Sequence, residues 1–356
     1  MMMRQKNGLS RRNALKFALG TAAAGALVTA ARAQDGQAAP AGQAAPAPAP
    51  AAPAATAPAN APVTPGWRRF RLGEAEVTVL LDGVRPGDGP FPTFGEDQSA
   101  EAVGALMEAN LLPTSSFVNF FQPVVIRTGN ETVLVDTGFG AGGREGGLGM
   151  LRQRLEDAGI AADRVTMVVL THLHGDHIGG LMEGDAPAFP NAHMIVGRQE
   201  YEFWTSDAAR SGPSAGNAEA VSAKVTPMEG RMTLAEDGDE VAPGLFAREA
   251  FGHTPGHFAY ELRSGGRRLY LMGDVFSQFV VSFQEPDWHV RFDMDKEKAA
   301  ATRRRYAKLL AEEKVPFLGY HLPFPALGYV QADGEAFRFV PETYALLIDP
   351  PATGGQ

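Results

Sequence analysis

Short apolar, β-branched runs recur along the chain, and most of them stop at a Gly, Asp or His. This pattern predicts strands over 70–82, 122–128, 131–135, 165–170, 194–196, 245–248, 257–262, 268–272 and 316–320. Apolar positions at helical spacing predict helices over 100–107, 147–158, 198–206 and 296–313. The order is two successive halves, each of strands followed by helices, which is an α/β chain with its strands in two groups. No internal repeat of solenoid length is apparent.

The ends of these runs carry the candidate chemistry. After Val165–Leu170 comes Thr171-His-Leu-His-Gly-Asp-His177, with three imidazoles and a carboxylate between His172 and His177. Histidines this dense have no packing rationale; they have the composition of a metal site. A chain leaving a strand points His172 and His174 the same way, because side chains two apart share a face. Asp176 and His177 then face elsewhere, so one loop is able to serve two ions. Other runs each deliver one ligand-type residue at their end: Asp136 in Asp136-Thr-Gly138, His253 and His257 in Gly252-His-Thr-Pro-Gly-His257, Asp274 after Gly273, and His321 after Tyr320. His193 and His289 have no such setting and read as ordinary surface histidines.

The His-x-His-x-Asp-His run, with Asp-Thr-Gly before it and a distant His, Asp and His after it, resembles the metallo-β-lactamase superfamily from about Trp67 to Asp349. Within it, His321-Leu-Pro-Phe-Pro-Ala-Leu-Gly328, Phe337-Arg-Phe-Val-Pro341, Gly252–His257 and Gln199-Glu-Tyr-Glu-Phe-Trp204 resemble the methyl parathion hydrolases. The resemblance implies a four-layer αββα sandwich with metals at one rim of the paired sheets. It also implies that His172, His174 and His253 hold one ion and that Asp176, His177 and His321 hold a second, with Asp274 bridging. Asp136 is expected to accept a ring N–H from a ligand histidine, and His257 to have a structural hydrogen-bonding role. Imidazole and carboxylate suit two divalent ions, zinc first, with manganese, iron or cobalt also compatible.

Two cations roughly 3.5–4 Å apart share a water, lower its pKa and polarise the bond it attacks. The expected nucleophile is therefore metal-bound hydroxide, with Asp176 as proton shuttle and Asp274 as the bridge. The chain has no cysteine, which excludes a thiolate mechanism. Phe91, Phe94, Trp204, Phe276, Phe292 and Phe324 fall near rim loops. Of these, Trp204 matches an aromatic of the leaving-group pocket in the methyl parathion hydrolases, and Phe91, Phe276 and Phe292 are the further candidates for substrate contact. The chain departs from that family in a glycine-rich loop over 138–149 and in a stretch over 211–225 without bulky aromatics. Both predict a wider mouth that suits ester or lactone hydrolysis better than phosphotriesters.

Composition divides the chain. Residues 1–33 hold Ser10-Arg-Arg-Asn-Ala-Leu-Lys16, an apolar stretch rich in Gly and Ala, and Ala31-Arg-Ala33. That reads as a twin-arginine signal cleaved after Ala33, implying periplasmic delivery by the twin-arginine machinery and no stable membrane anchor. Residues 34–65 are almost entirely Ala, Pro, Gly, Gln and Thr and read as a disordered tether. From Gly66 onward roughly 290 residues remain, enough for one large hydrolase domain. Beyond the signal, 26 basic residues face 41 acidic ones, a formal net charge of −15. This argues against a nucleic-acid partner, which requires a basic track. The one dense basic run, Arg303–Arg305, is expected on a solvated helix face. With no cysteine, no disulfide braces the exported fold.

Organophosphate triesters or aryl esters are thus the first substrate reading. Lactones of the dihydrocoumarin or acyl-homoserine type are the alternative on the same ligand set. A β-lactamase fits less well, because Asp274 and the absence of cysteine do not match the usual second-metal site of either major class. A mononuclear iron dioxygenase, or a metal-binding protein without turnover, leaves the presence of both Asp176 and Asp274 unexplained. A homodimer is an expectation from the resemblance alone.

Overall fold

The runs Val124–Thr128 and Glu131–Val135 are buried at successive positions rather than alternate ones, as a strand must be when both faces are covered. The computed structural model describes residues 66–342, and in it these runs lie inside a mixed sheet of seven strands. In spatial order they are Trp67–Leu72, Ala75–Leu80, Val124–Thr128, Glu131–Val135, Met167–Val169, His193–Gly197 and Met232–Ala235. The last four pair in parallel. A second seven-stranded sheet runs Glu240–Ala242, Leu245–Glu249, Phe258–Ser264, Arg267–Leu271, Phe317–Leu318, Leu327–Asp333 and Ala336–Pro341.

Side-chain alternation sorts the core into layers. Val77, Val79, Ile126, Val133 and Val135 of the first sheet pack with Leu245, Ala247, Tyr260, Leu262 and Leu271 of the second. The intervening residues Val125, Leu134, Val168 and Met194 point the other way and meet Leu151, Leu155 and Val221 of the helices Leu151–Asp157 and Ala215–Lys224. On the far side, Tyr270 and Phe317 meet Tyr306, Ala307 and Leu310 of the helix Lys296–Glu313. The result is the expected αββα sandwich. Each fully buried aliphatic or aromatic side chain contributes roughly 1.5–3 kcal/mol, so uncovering either face of strands this apolar would be prohibitive.

Several elements differ from the sequence reading. The strand expected over 70–82 is two, because Gly73, at φ +58°, turns the chain and lets Leu72 pair with Ala75. The helix expected over 147–158 starts only at Leu151, after a 3₁₀ stretch Gly140–Gly146, since consecutive glycines are poor helix formers. A two-stranded hairpin, Gly83–Asp88 with Ser116–Phe121, stands outside both sheets. Pro86 and the glycines concealed its first strand. Arg303 is the sharpest correction. It is not on a solvated face but buried, on the same stripe of its helix as Ala299, Tyr306, Ala307 and Leu310. The signal and tether expected over 1–33 and 34–65 lie outside the described residues. Among the described residues, no helix is long and apolar enough to cross a membrane.

Glu261 is a buried carboxylate on the second sheet, held by Arg248, Arg263 and Arg268. Burial alone would raise its pKa, but the three guanidiniums outweigh burial and bring it down to about 2. A depressed carboxylate stabilises the fold above its unfolded pKa and loses that contribution as pH falls toward the folded value. Glu261→Gln should therefore lower the melting temperature at neutral pH and narrow its gap to wild type between the ordinary glutamate pKa of 4.5 and about 2. Thermal melts across pH check this; a gap that widens on acidification would contradict it.

Candidate metal centre

The His-rich loop is positioned from beneath by a second turn. Asp136, in a left-handed conformation at φ +60°, follows the strand Glu131–Val135. Its carboxylate accepts the Thr171 backbone N–H at 2.9 Å and the Thr171 hydroxyl at 2.8 Å, and lies 2.8 Å from His177 Nδ1. The turn packs so closely on Gly179–Gly180 that a Cβ at Gly180 would sit 2.1 Å from the Thr137 carbonyl oxygen. After His174 the chain enters one helical turn, Gly175–Ile178, which carries Asp176 and His177.

Three groups of ligand atoms converge, each within 4.8 Å: His172, His174 and His253; His172, His177 and Asp274; Asp176, His177 and His321. His174 Nδ1 is 3.0 Å from both His172 Nε2 and His253 Nε2. Asp274 lies at the seam of the groups. Its Oδ2 is 2.9 Å from His321 Nε2 and 3.2 Å from His253 Nε2, while its Oδ1 is 3.1 Å from His177 Nε2. Asp176 Oδ2 is 3.6 Å from both His177 Nε2 and His321 Nε2. All seven ligand residues named from the sequence are therefore brought together.

The donor set fits a cation. Asp274 Oδ1 and His177 Nε2 are both buried and, although they face each other at 3.1 Å, form no hydrogen bond, a costly state for such atoms unless something else satisfies them. The outer nitrogens of the ligands are anchored instead. His177 has Asp136; His253 Nδ1 has Asp293 Oδ1 at 2.9 Å; His321 Nδ1 has the Phe120 carbonyl at 2.9 Å. Each acceptor holds the proton on Nδ1 and leaves the Nε2 lone pair aimed inward. His257 Nε2, in turn, accepts the Asp274 backbone N–H at 3.1 Å and so fixes the backbone that carries this carboxylate.

Charge in the centre follows from burial and these neighbours. Burial, reinforced by the neighbouring His253, pushes His174 and His257 down to about 3. Burial likewise holds His172 well below the usual histidine range. At His177 burial is outweighed by Asp274, Asp136 and Asp176, which raise its pKa well above the ordinary value. Burial also opposes ionisation of Asp274, but His321, His177, His253 and His172 together keep its carboxyl well below the usual range. The ionised Asp274 is thus ringed by histidines and offset by a His177 drawn to its cationic form, a positive charge at the place where these donors would hold a divalent ion.

Four supporting residues escaped the sequence reading. Glu200 is fully buried and accepts from Leu173 N–H, Trp204 Nε1–H, the Thr254 hydroxyl and Gly256 N–H. It ties the His172–His177 loop to the His253–His257 loop. Asp82 accepts the N–H groups of Phe139, Gly149 and Leu151 and so anchors the glycine-rich loop. Tyr320 donates its hydroxyl to the Asp176 carbonyl at 2.6 Å, with its ring centroid 3.9 Å from that of His177. Asp293, already the partner of His253, receives Arg303 Nη2 at 2.7 Å. Asp293→Asn should weaken the ion held by His253 by roughly 10–100-fold, as loss of an outer partner typically does. Chelator competition measures this, and unchanged affinity would remove Asp293 from the metal site.

Above the ligands opens a cavity of about 490 Å³, walled by Phe94, Phe121, Phe139 and Phe292, with Arg85, Asn119, Asn217 and Ser277 as its polar groups besides the ligands. Phe292 is half exposed and lines this cavity as expected from sequence. Trp204 does not line it. It is buried with its indole N–H on Glu200 and its ring edge against His174, so it braces a ligand. Phe276 is wholly in the core, stacked on Phe283. Phe91 is half-buried and away from the lining, and Phe324 packs against the core between the sheets. Asn119, Phe121 and Arg85 come from the hairpin that the sequence concealed.

A two-sheet αββα sandwich with a histidine and aspartate cluster at its rim defines a class of metal-dependent hydrolases. Residues 122–317, more than half of the chain, match the model of the metallo-beta-lactamase superfamily, and the protein belongs to that family. A protein of Mycobacterium tuberculosis described as a probable metallo-hydrolase is 28% identical over 188 residues, 43% of this chain and 56% of the relative. A Mycobacterium bovis counterpart matches equally; the chain spans little more than half the length of these curated relatives. Among solved structures, AidC, a dizinc quorum-quenching lactonase in complex with the product N-hexanoyl-L-homoserine, is similar at a TM-score of 0.73 and 26% identity. That match covers 78% of this chain and 98% of AidC. The hydrolase AbOPH of the beta-lactamase superfamily is similar at a TM-score of 0.73 and 25% identity, over 79% of this chain and 99% of that one.

Proposed function

We propose that this protein is a dinuclear, zinc-type hydrolase of lactones and related carboxylic esters, with N-acyl homoserine lactones as the first class to test. The observation that carries the reading is Asp274, a carboxylate at the floor of an apolar-walled cavity, in contact with both ligand groups that flank it: His172, His174 and His253, and Asp176, His177 and His321. Likeness to AidC supports the substrate class. Two divalent ions held by these ligands would supply a water of lowered pKa and polarise the substrate carbonyl. The chain's own groups do the rest. Both carboxylates line the cavity, but Asp176 is the more exposed, at 20% against 6% for Asp274. Asp176 is therefore the carboxylate placed to take the proton released on attack and return it to the leaving alkoxide. Phe121, Phe139 and Phe292 exclude water from an acyl chain, and Asn217, anchored through Nδ2 on the Leu173 carbonyl at 2.8 Å, fixes one polar point of the wall.

Hydrolysis of aryl esters or phosphotriesters of the methyl parathion type is the second reading. The motifs His321–Gly328 and Gly252–His257 and the aromatic cavity walls favour it. The stacking partner it looked for in Trp204 is engaged elsewhere. Initial rates on N-hexanoyl homoserine lactone, dihydrocoumarin, 4-nitrophenyl acetate and methyl parathion separate the two. Lactone turnover well above phosphotriester turnover is expected, and the reverse order would favour the second reading. Export by the twin-arginine route to the periplasm and assembly as a homodimer are part of the proposal. Cell fractionation and light scattering test them; a cytoplasmic or monomeric enzyme would remove the respective part.

A further inference from the structure

The hairpin over the cavity places one cation in an unusual setting. On the strand Gly83–Asp88, the residues sharing a face are Gly83, Arg85 and Gly87, and their cross-strand partners are Phe121, Asn119 and Phe117. The two glycines have no room for a side chain: a Cβ at Gly87 would lie 2.3 Å from the Phe117 ring, and one at Gly83 would lie 2.5 Å from Leu148. Arg85 is thus the one side chain that its strand presents on this face, opposite the amide of Asn119. Its guanidinium carbon stands 5.6 Å from the Phe121 ring centroid and 5.7 Å from that of Phe139. Phe121 in turn meets the His321 ring edge-on at 5.3 Å. The cation is therefore one aromatic ring away from the ligand set.

Among the described residues, no carboxylate neutralises it. Arg85 is exposed and has no carboxylate partner among the described residues, in a chain with a surplus of acids. Among the described residues it is also the only Lys or Arg lining the cavity. Stacking on two rings at an exposed site is worth only about 0.5–1 kcal/mol and leaves the guanidinium's forked N–H groups free for a planar anion. Under the dinuclear reading, two divalent ions meet only two ligand carboxylates, Asp176 and Asp274. The cavity floor then carries surplus positive charge as well.

We propose that Arg85, with Asn119 opposite it, is a subsite for a carboxylate borne by the substrate. Esters or lactones with an anionic group a few bonds from the bond being cut should thus bind more tightly than neutral ones of matched length. This rests on the hydrolase reading for its catalytic meaning, whereas binding at the subsite does not require turnover. The cavity's aromatic rings accommodate the apolar spacer between the two ends. Phe121 and Phe139 hold the guanidinium in place, which lowers the entropy lost when it pairs.

Competitive calorimetry on the zinc-loaded protein tests it directly. Succinate, glutarate, adipate and suberate are compared with butyrate, valerate, hexanoate and octanoate, using wild type, Arg85→Gln and Arg85→Lys. Each acid offers one carboxylate to the metals; only the diacids have a second for Arg85. Wild type should bind the best-spanned diacid about tenfold more tightly than its monoacid, as one charge-assisted bidentate pair allows. The preference should collapse to about twofold or less in Arg85→Gln. Arg85→Lys should recover part of it, and added salt should weaken it. Equal affinity for mono- and diacids in wild type, or a preference that survives Arg85→Gln, overturns the subsite. Failure of every ester and lactone to turn over, with the diacid preference intact, would overturn the hydrolase reading and leave the subsite standing.

Discussion

Asp274→Ala should leave a folded protein that holds at most one ion per chain and has lost essentially all hydrolytic activity. Asp274 is the contact between the two ligand groups, at 2.9 Å from His321, 3.1 Å from His177 and 3.2 Å from His253. Its removal leaves buried imidazoles without the negative charge that offsets them. The loss in kcat/KM should exceed the roughly 10–100-fold that follows removal of an outer partner such as Asp293, because a ligand itself is gone. Metal analysis alongside kinetics reads both effects. Full activity with unchanged metal content would sink the bridging role.

The largest effect on stability should come from Glu200→Ala. Glu200 is completely buried, and its two oxygens accept from four donors. Alanine strands those donors away from water, at about 1–3 kcal/mol for each group that finds no new partner. A total of roughly 4 kcal/mol or more is expected, a large part of a typical domain's stability. The Thr254 and Gly256 bonds also tie the His253 loop to the His172 loop, so metal affinity should fall together with stability. Urea denaturation with and without zinc measures the change. A destabilisation under about 1 kcal/mol would show that Glu200 is not the tie described.

The candidate metal ligands were legible because their chemistry is local. His172, His174, Asp176 and His177 are neighbours in sequence, and His253, Asp274 and His321 each follow an apolar run. The cavity was not legible, because whether an aromatic faces solvent or core is decided by distant packing. Trp204 and Phe276 look alike in sequence to Phe292, yet only Phe292 reaches the cavity. Arg303 had a usable signal. It falls in register with Ala299, Tyr306, Ala307 and Leu310, so its helix spacing marks it as buried. Its partner Asp293 had none, since nothing local distinguishes it from Asp287 or Asp295. The hairpin carrying Arg85 and Asn119 was hidden by Pro86 and two glycines, residues that usually mark loops.

Under the dinuclear reading, turnover requires both ligand groups to be filled. Metal-free protein titrated with zinc while hydrolysis of N-hexanoyl homoserine lactone is followed puts this to the test. Activity should climb to a plateau at two ions per chain. A plateau at one ion, or two tightly bound ions with no lactone turnover, would contradict it.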